Sequence, residues 1–254
     1  MIHRSTFVRG LIAGTVLAAF AGAALADQLD DVRAAKKIRV AIDLGSPPFG
    51  MNDAAMNATG SDVETARLLA KDLGVELEIV QTTGANRIPF LQTGKADVVV
   101  SSLSVTPERE KVIDFSTPYA QIQAVVAAPK SVAVKGFADL AGKRVATARG
   151  TTNDRLATEG AKGAQIVRFD DDSTLVTAVA SGQVEIFATS PAIVKTVVGK
   201  VPALGVETKF VMQSFPLGIG LRKGETKLQA WINDWVTKNT ANGKLAEIYK
   251  RFHG

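Results

Sequence analysis

What most constrains the fold of this chain is a change of hydrophobic period that repeats along it. Residues 38–43 form a β-rich run that Gly45 and Pro47-Pro48 stop. Residues 61–73 then carry Val63, Ala66, Leu69, Ala70 and Leu73 at helical spacing up to Gly74. A second strand over 75–81, a short helix over 85–93 and a third strand over 96–103 continue the pattern. This strand–helix–strand order predicts a parallel sheet covered by helices on both faces. After the apolar run 122–128 the pattern restarts, with strands over 144–148, 165–169 and 184–188. Helices over 153–160 and 173–181 lie between them, and another starts at Pro191. A strand over 218–222 and helices over 226–240 and 244–252 return the chain to its beginning. The fold class is α/β with two lobes, and ligands in such folds lie at the C-terminal ends of strands, in the crevice between lobes.

The residue inventory narrows the chemistry. The chain has no cysteine and only His3 and His253. Thiolate and imidazole sites of zinc enzymes, cysteine proteases and Ser-His-Asp hydrolases therefore have almost nothing to be built from. No basic block with interleaved aromatics occurs, so nucleic acid is a poor partner. Neither Gly94-Lys95-Ala96 nor Gly142-Lys143-Arg144 has the flanking residues of a phosphate-binding loop. Asp170-Asp171-Asp172 lacks the alternating spacing of a calcium loop and precedes an apolar helical run, so it reads as a helix cap. Trp231 and Trp235, four apart on a helix, read as packing residues. No metal and no cofactor is expected.

Residues 1–26 combine His3, Arg4 and Arg9, an apolar stretch and Ala24-Leu25-Ala26, the pattern of a cleaved secretory signal. The mature chain is expected to start near Asp27, and loss of Arg4 and Arg9 lowers the formal charge from +5 to +3.

Longer motifs carry a resemblance. The stretch 101–109, Ser-Ser-Leu-Ser-Val-Thr-Pro-Glu-Arg, is followed by 112–119, Val-Ile-Asp-Phe-Ser-Thr-Pro-Tyr. Asp43 with Pro47-Pro48-Phe49, Leu91-x-x-Gly94-Lys95-Ala96-Asp97, Gly150-Thr151-Thr152 and Ser181-Gly182-Gln183-Val184-Glu185 keep the same order. Together they resemble the family 3 extracellular solute-binding proteins, the polar amino-acid receptors of ABC importers. The resemblance implies two α/β lobes joined by two hinge strands. Lobe 1 would be 27–121 and 217–254, and lobe 2 would be 122–216. It also implies a periplasmic, monomeric receptor for a small amino acid or dicarboxylate, delivering to an inner-membrane permease.

Read by their chemistry, Thr106 and Pro107 start a helix, and Arg109 on its first turn has a fork able to hold a carboxylate. Pairing of Arg109 with Glu108 or Glu110 is the plainer alternative. The resemblance assigns the ligand α-carboxylate to Arg109, Ser102 and Ser104, and a second clamp on it to Gly150, Thr151 and Thr152. Asp43 and Phe49 are counted with the crevice. The chain departs from the family at Ser190, where members usually carry the Asp that balances the ligand ammonium; Asp43 could hold an amine instead. Ser46, Ser61 and Gly84 stand where members commonly carry aromatics. Arg87, in Asn86-Arg87-Ile88-Pro89, is either a solvated helix residue or, as in receptors for acidic amino acids, a second cation that selects a second carboxylate. An enzyme similar to the cyclohexadienyl dehydratases, with Glu185 or Asp43 as general acid, is the alternative function.

Overall fold

The computed structural model describes residues 27–254, so the expected signal segment lies outside the described residues. The chain runs through α1 (Gln28–Ala35), β1 (Lys37–Ile42), β2 (Met51–Asn52), β3 (Ala58–Thr59), α2 (Ser61–Leu73), β4 (Glu76–Gln81), α3 (Arg87–Gln92) and β5 (Val98–Val99). It continues with α4 (Pro107–Glu110), β6 (Asp114–Phe115), β7 (Ala120–Pro129), β8 (Arg144–Ala148), α5 (Thr152–Gly160), β9 (Gln165–Phe169) and α6 (Asp172–Ala180). It ends with β10 (Ile186–Thr189), α7 (Pro191–Lys200), β11 (Val206–Leu217), β12 (Gly220–Leu221), α8 (Thr226–Ala241) and α9 (Lys244–His253). Among the described residues no helix is long and apolar enough to cross a membrane.

Two five-stranded sheets form, ordered β4-β1-β5-β12-β6 and β11-β7-β10-β8-β9. Alternation along the strands shows how each is buried. Val98 and Val100 join one apolar cluster with Ile38, Val40 and Leu69, while Val99 between them joins another with Ala41, Leu91 and Leu103. In the second sheet Val125 and Ala127 pack with Leu175 and Phe187, whereas Val126 and Ala128 pack with Leu140 and Ile186. Both sheets are thus covered on both faces, which is why their strands read as apolar runs rather than as alternating ones. Trp235 packs in the core, its indole N–H donating to Asp72 at 2.9 Å, and Trp231 packs against the same cluster.

The sheets are mixed, against the sequence expectation of parallel ones. β1 pairs in parallel with β4 and β5, and β8 with β9 and β10. But β12 runs antiparallel to β5 and β6, and β7 antiparallel to β10 and β11. The antiparallel members are strands that link the sheets or return the chain, so no crossover helix fixes their direction. β7 and β11 pair from Ala120–Leu217 to Pro129–Val206, and Ser104 bridges to Leu217 at the end next to the first sheet. The expected strand 96–103 is reduced to Val98–Val99, because the chain leaves the ladder at Ser101-Ser102, where Ser102 has φ 39°.

α2 starts without a side-chain cap at Gly60; its first amides instead donate to the loop before it, Ser61 N–H to Pro48 O and Asp62 N–H to Phe49 O at 2.8 Å. This close approach requires glycine: Gly60 has φ 123°, and a β-carbon there would lie 2.2 Å from the Phe49 carbonyl oxygen. Gly60→Ala is expected to destabilise the fold by about 3 kcal/mol or more. Urea unfolding of the two proteins checks this.

Candidate functional site

The loop after β1 places Asp43 where the first sheet ends. Its carboxylate accepts the Gly45 N–H at 2.9 Å and its own N–H donates to Ser101 Oγ. Phe49, buried, packs tilted against His253 with ring centroids 4.6 Å apart. The turn after β4 brings in Arg87. The residue is 5% exposed, and its guanidinium donates through Nε to Gly84 O at 3.1 Å and through Nη1 to Ser101 O at 2.8 Å. From the second sheet come Ala148 at the end of β8, Asp172 after β9 and Ser190 after β10. These residues, with Ser46, Gly84, Ser102, Ser104, Thr151, Thr152, Asn153 and Ile122 to Ala124, line one cavity of about 40 Å³ between the two sheets. It lies where strands of both sheets end, as the topology requires.

The two sides touch around this cavity. Ser46 Oγ donates to Asp172 Oδ2 at 2.6 Å, Ser173 N–H donates to Gly45 O at 2.8 Å, and the hydroxyls of Ser104 and Thr152 are 3.3 Å apart. A β-carbon on Gly84 would lie 2.8 Å from the Arg149 carbonyl oxygen of the opposite side.

Of the residues the sequence singled out, Asp43, Phe49, Arg87, Ser102, Ser104, Thr151, Thr152 and Ser190 line this cavity. Arg109 and Gly150 do not. They line a neighbouring cavity of about 340 Å³ together with Arg155, Arg168 and Asp154. Arg109 spans the sheets, donating to Ser104 O at 2.9 Å and to Gly150 O at 3.4 Å. It is thus paired neither with Glu108 nor with Glu110. Burial first, then Arg87 and Arg155 nearby, push its pKa down to about 9, which still leaves it charged at neutral pH. The Gly150 N–H is taken by Asp154 Oδ2 at 3.1 Å. The Thr151 hydroxyl is engaged as a helix cap, donating to Ala148 O and accepting from Asp154 N–H. Within the expected second clamp, only the Thr152 hydroxyl faces the crevice, against Ser104. Ser61 lies outside this cavity, its hydroxyl 3.0 Å from the His253 ring.

Charge inside the site is the main correction to the sequence reading. Arg87 is not a solvated helix residue: it is buried, its guanidinium bonds are to the backbone carbonyls of Gly84 and Ser101, and Asp43, Asp172 and Asp62 act on it from beyond ion-pair contact. Burial pushes the Asp62 carboxyl up to about 7, against the Ser102 N–H it accepts and the pull of Arg87. Burial likewise pushes Asp172 up to about 6, against its bond from Ser46, and raises Asp43. Sequence reasoning missed Asp172, reading all three consecutive acids as cap residues. Only Asp171 caps α6, accepting the Thr174 N–H at 2.8 Å. The available signal was that one helix start uses one capping side chain, which leaves the other acids to be accounted for. Glu185, considered as a general acid, is exposed and lines a different depression with Lys143 and Arg144. Among the described residues no group of acidic or histidine side chains is placed to hold a metal.

Residues 38–254 match the profile of the bacterial extracellular solute-binding proteins, family 3. The chain is similar to the L-cystine-binding protein TcyJ of Escherichia coli, 28% identical over 96% of this chain and 91% of that one. It is also similar to ABC transporter arginine-binding protein 1 of Escherichia coli, 31% identical over 85% of this chain and 90% of the relative. Among solved structures it resembles the ancestral amino acid-binding protein AncCDT-1, a precursor of cyclohexadienyl dehydratase. The TM-score is 0.80 and the identity 33%, over 89% of this chain and 99% of that one.

The raised Asp62 carboxyl has a measurable consequence. With a pKa of about 7 in the fold against the ordinary 3.8, it binds more protons folded than unfolded between those values. Its contribution is therefore intact at low pH and is lost as pH rises toward 7. Asp62→Asn keeps an acceptor for Ser102 without the charge. It is expected to gain on the wild type by roughly 1 to 3 kcal/mol between pH 5 and pH 8. Urea unfolding of both proteins at both pH values reads the difference.

Proposed function

The chain belongs to the bacterial extracellular solute-binding proteins, family 3, and from that membership we propose that it is the receptor of an ABC importer for a compact α-amino acid. The observation that carries this reading is the cavity between the sheets, where the Arg87 guanidinium and the carboxylates of Asp43 and Asp172 face one small space. A zwitterion offers each sign a partner. An amine-free dicarboxylate would instead bring two negative charges to a site already rich in acids. The small side chains of Ser46, Gly84, Ala148 and Ser190 leave the selection to charge and hydrogen bonds rather than to an aromatic sandwich.

Residues 27–121 with 217–254 act as one lobe and 122–216 as the other, with β7 and β11 as the hinge strands between them. The touching pairs Ser46–Asp172 and Ser104–Thr152 belong to the closed form, in which the ligand is enclosed. Arg109, which reaches both sides, exchanges its long bond to Gly150 O for the ligand carboxylate as the lobes close on it, joined by Ser102, Ser104 and Thr152. The receptor works in the periplasm as a monomer, after removal of residues 1–26, and presents its closed form to an inner-membrane permease.

Thermal-shift screening of residues 27–254 against the L-amino acids tests this. An amino acid at 100 times its dissociation constant adds about 2.7 kcal/mol, which should raise Tm by roughly 5 to 10 °C. Failure of every amino acid to shift Tm would refute the receptor reading. Closure is tested separately by Gly84→Ala, whose methyl group meets the Arg149 carbonyl only when the lobes are shut. We expect its affinity for the amino acid found in the screen, measured by calorimetry, to drop about tenfold or more, with the Tm of the free protein unchanged.

A further inference from the structure

The cavity contains two acceptors that the protein itself leaves unused. Ser190 sits at the start of α7, a place where serine normally caps the helix, yet its hydroxyl makes no cap bond. It is 3% exposed and has no hydrogen-bond partner. Asp172 is the first residue of α6, and because Asp171 already caps that helix, its carboxylate is free to turn into the crevice. Oδ2 takes the Ser46 hydroxyl from the opposite side, while Oδ1 is buried with no partner. A buried carboxylate oxygen without a donor is costly, so the arrangement calls for a donor that the protein does not supply. Asp43 lines the same space and spends one oxygen on the Gly45 N–H.

We infer that Asp172 is the counter-ion of the ligand ammonium, with the Ser190 hydroxyl and Asp43 as its other acceptors. An ammonium presents three N–H donors and no acceptor, which matches the three acceptor-bearing side chains, Asp172, Ser190 and Asp43, that line one small cavity. A hydroxyl or a carboxylate in that place would satisfy one acceptor at most and face the charge of the acids. The counter-charge to the amine thus comes from the start of α6 rather than from the start of α7, where Ser190 stands. Because Asp172 also accepts from Ser46 on the opposite side, the group that binds the amine is itself part of the contact between the lobes. This inference rests on the amino-acid receptor reading above and names the group that selects for the amine.

The test pairs each proteinogenic L-amino acid with the 2-hydroxy acid of the same carbon skeleton, screened against the wild type, Asp172→Asn and the double variant Asp172→Asn, Ser190→Asp. Asp172→Asn keeps an acceptor for Ser46, and an unchanged Tm of the free protein verifies that it folds. In the wild type the best amino acid should bind about 100-fold or more tighter than its hydroxy acid. Asp172→Asn should lose roughly 30-fold or more on the amino acid and little on the hydroxy acid, and the added Ser190→Asp should recover part of the loss. Equal losses on both members of the pair would make Asp172 a contact between lobes only and overturn the inference while the receptor reading stands. Tighter wild-type binding of the hydroxy acid would also overturn it. Absence of any binding would remove the receptor reading and this inference with it.

Discussion

The pairing of β7 with β11 holds the rest of the structure in place. Both strands belong to the second sheet, and the ladder between them runs from Ala120–Leu217 to Pro129–Val206. At the end next to the first sheet the backbone bonds continue, Val105 N–H to Pro216 O, Gly218 N–H to Leu103 O and Tyr119 N–H to Leu217 O. A two-stranded connection of this kind restricts the relative motion of two lobes to bending and twisting about the ladder, where a single flexible linker would let them drift. It also brings the strand ends of one sheet opposite those of the other, so that the loops following β1, β4 and β5 meet those following β8, β9 and β10.

At that meeting place the energetics are dominated by charge rather than by apolar area. Arg87 is buried with two of its nitrogens held by backbone carbonyls, and it has the charges of Asp43, Asp62 and Asp172 around it. Burying one cation near several acids is tolerable only because fixed hydrogen bonds hold the groups: Arg87 to Gly84 O and Ser101 O, Asp43 from Gly45 and Asp172 from Ser46. Asp62 reaches the crevice only through Ser102, whose φ of 39° takes the chain out of the strand and into the site. The first turn of α2 thus supports a binding loop from behind, and the helix is anchored there by the carbonyls of the 48–49 loop that also carries Phe49. Binding-site geometry and fold stability share the same few bonds.

Local signals were legible in the sequence where local physics decides. The helix over 61–73 has the expected bounds because its apolar spacing and the left-handed Gly74 at its end are both properties of a short window. The strands at 144–148 and 165–169 coincide with β8 and β9 for the same reason. The departure of the chain at Ser101, the direction of β12 and the length of β7 depend on partners a hundred residues away, which no window contains. Among residues lining the cavity, Arg87, Ser102, Ser104 and Thr152 could be named from their motifs. The hydrogen bonds that already occupy Gly150, Thr151 and Arg109 could not.

By itself the sequence determined the α/β alternation, the two-lobed architecture and the set of polar side chains available to a crevice. It did so because hydrophobic period, glycine and proline placement and residue chemistry are written locally. Only the tertiary structure decided which of three consecutive aspartates caps α6 and which turns inward, since that depends on Ser46 and Gly45 approaching from the opposite sheet. Only it decided that Arg87 is buried rather than solvated, because the Ser101 carbonyl that accepts from its guanidinium comes from the end of another strand and the fold alone excludes water from between them.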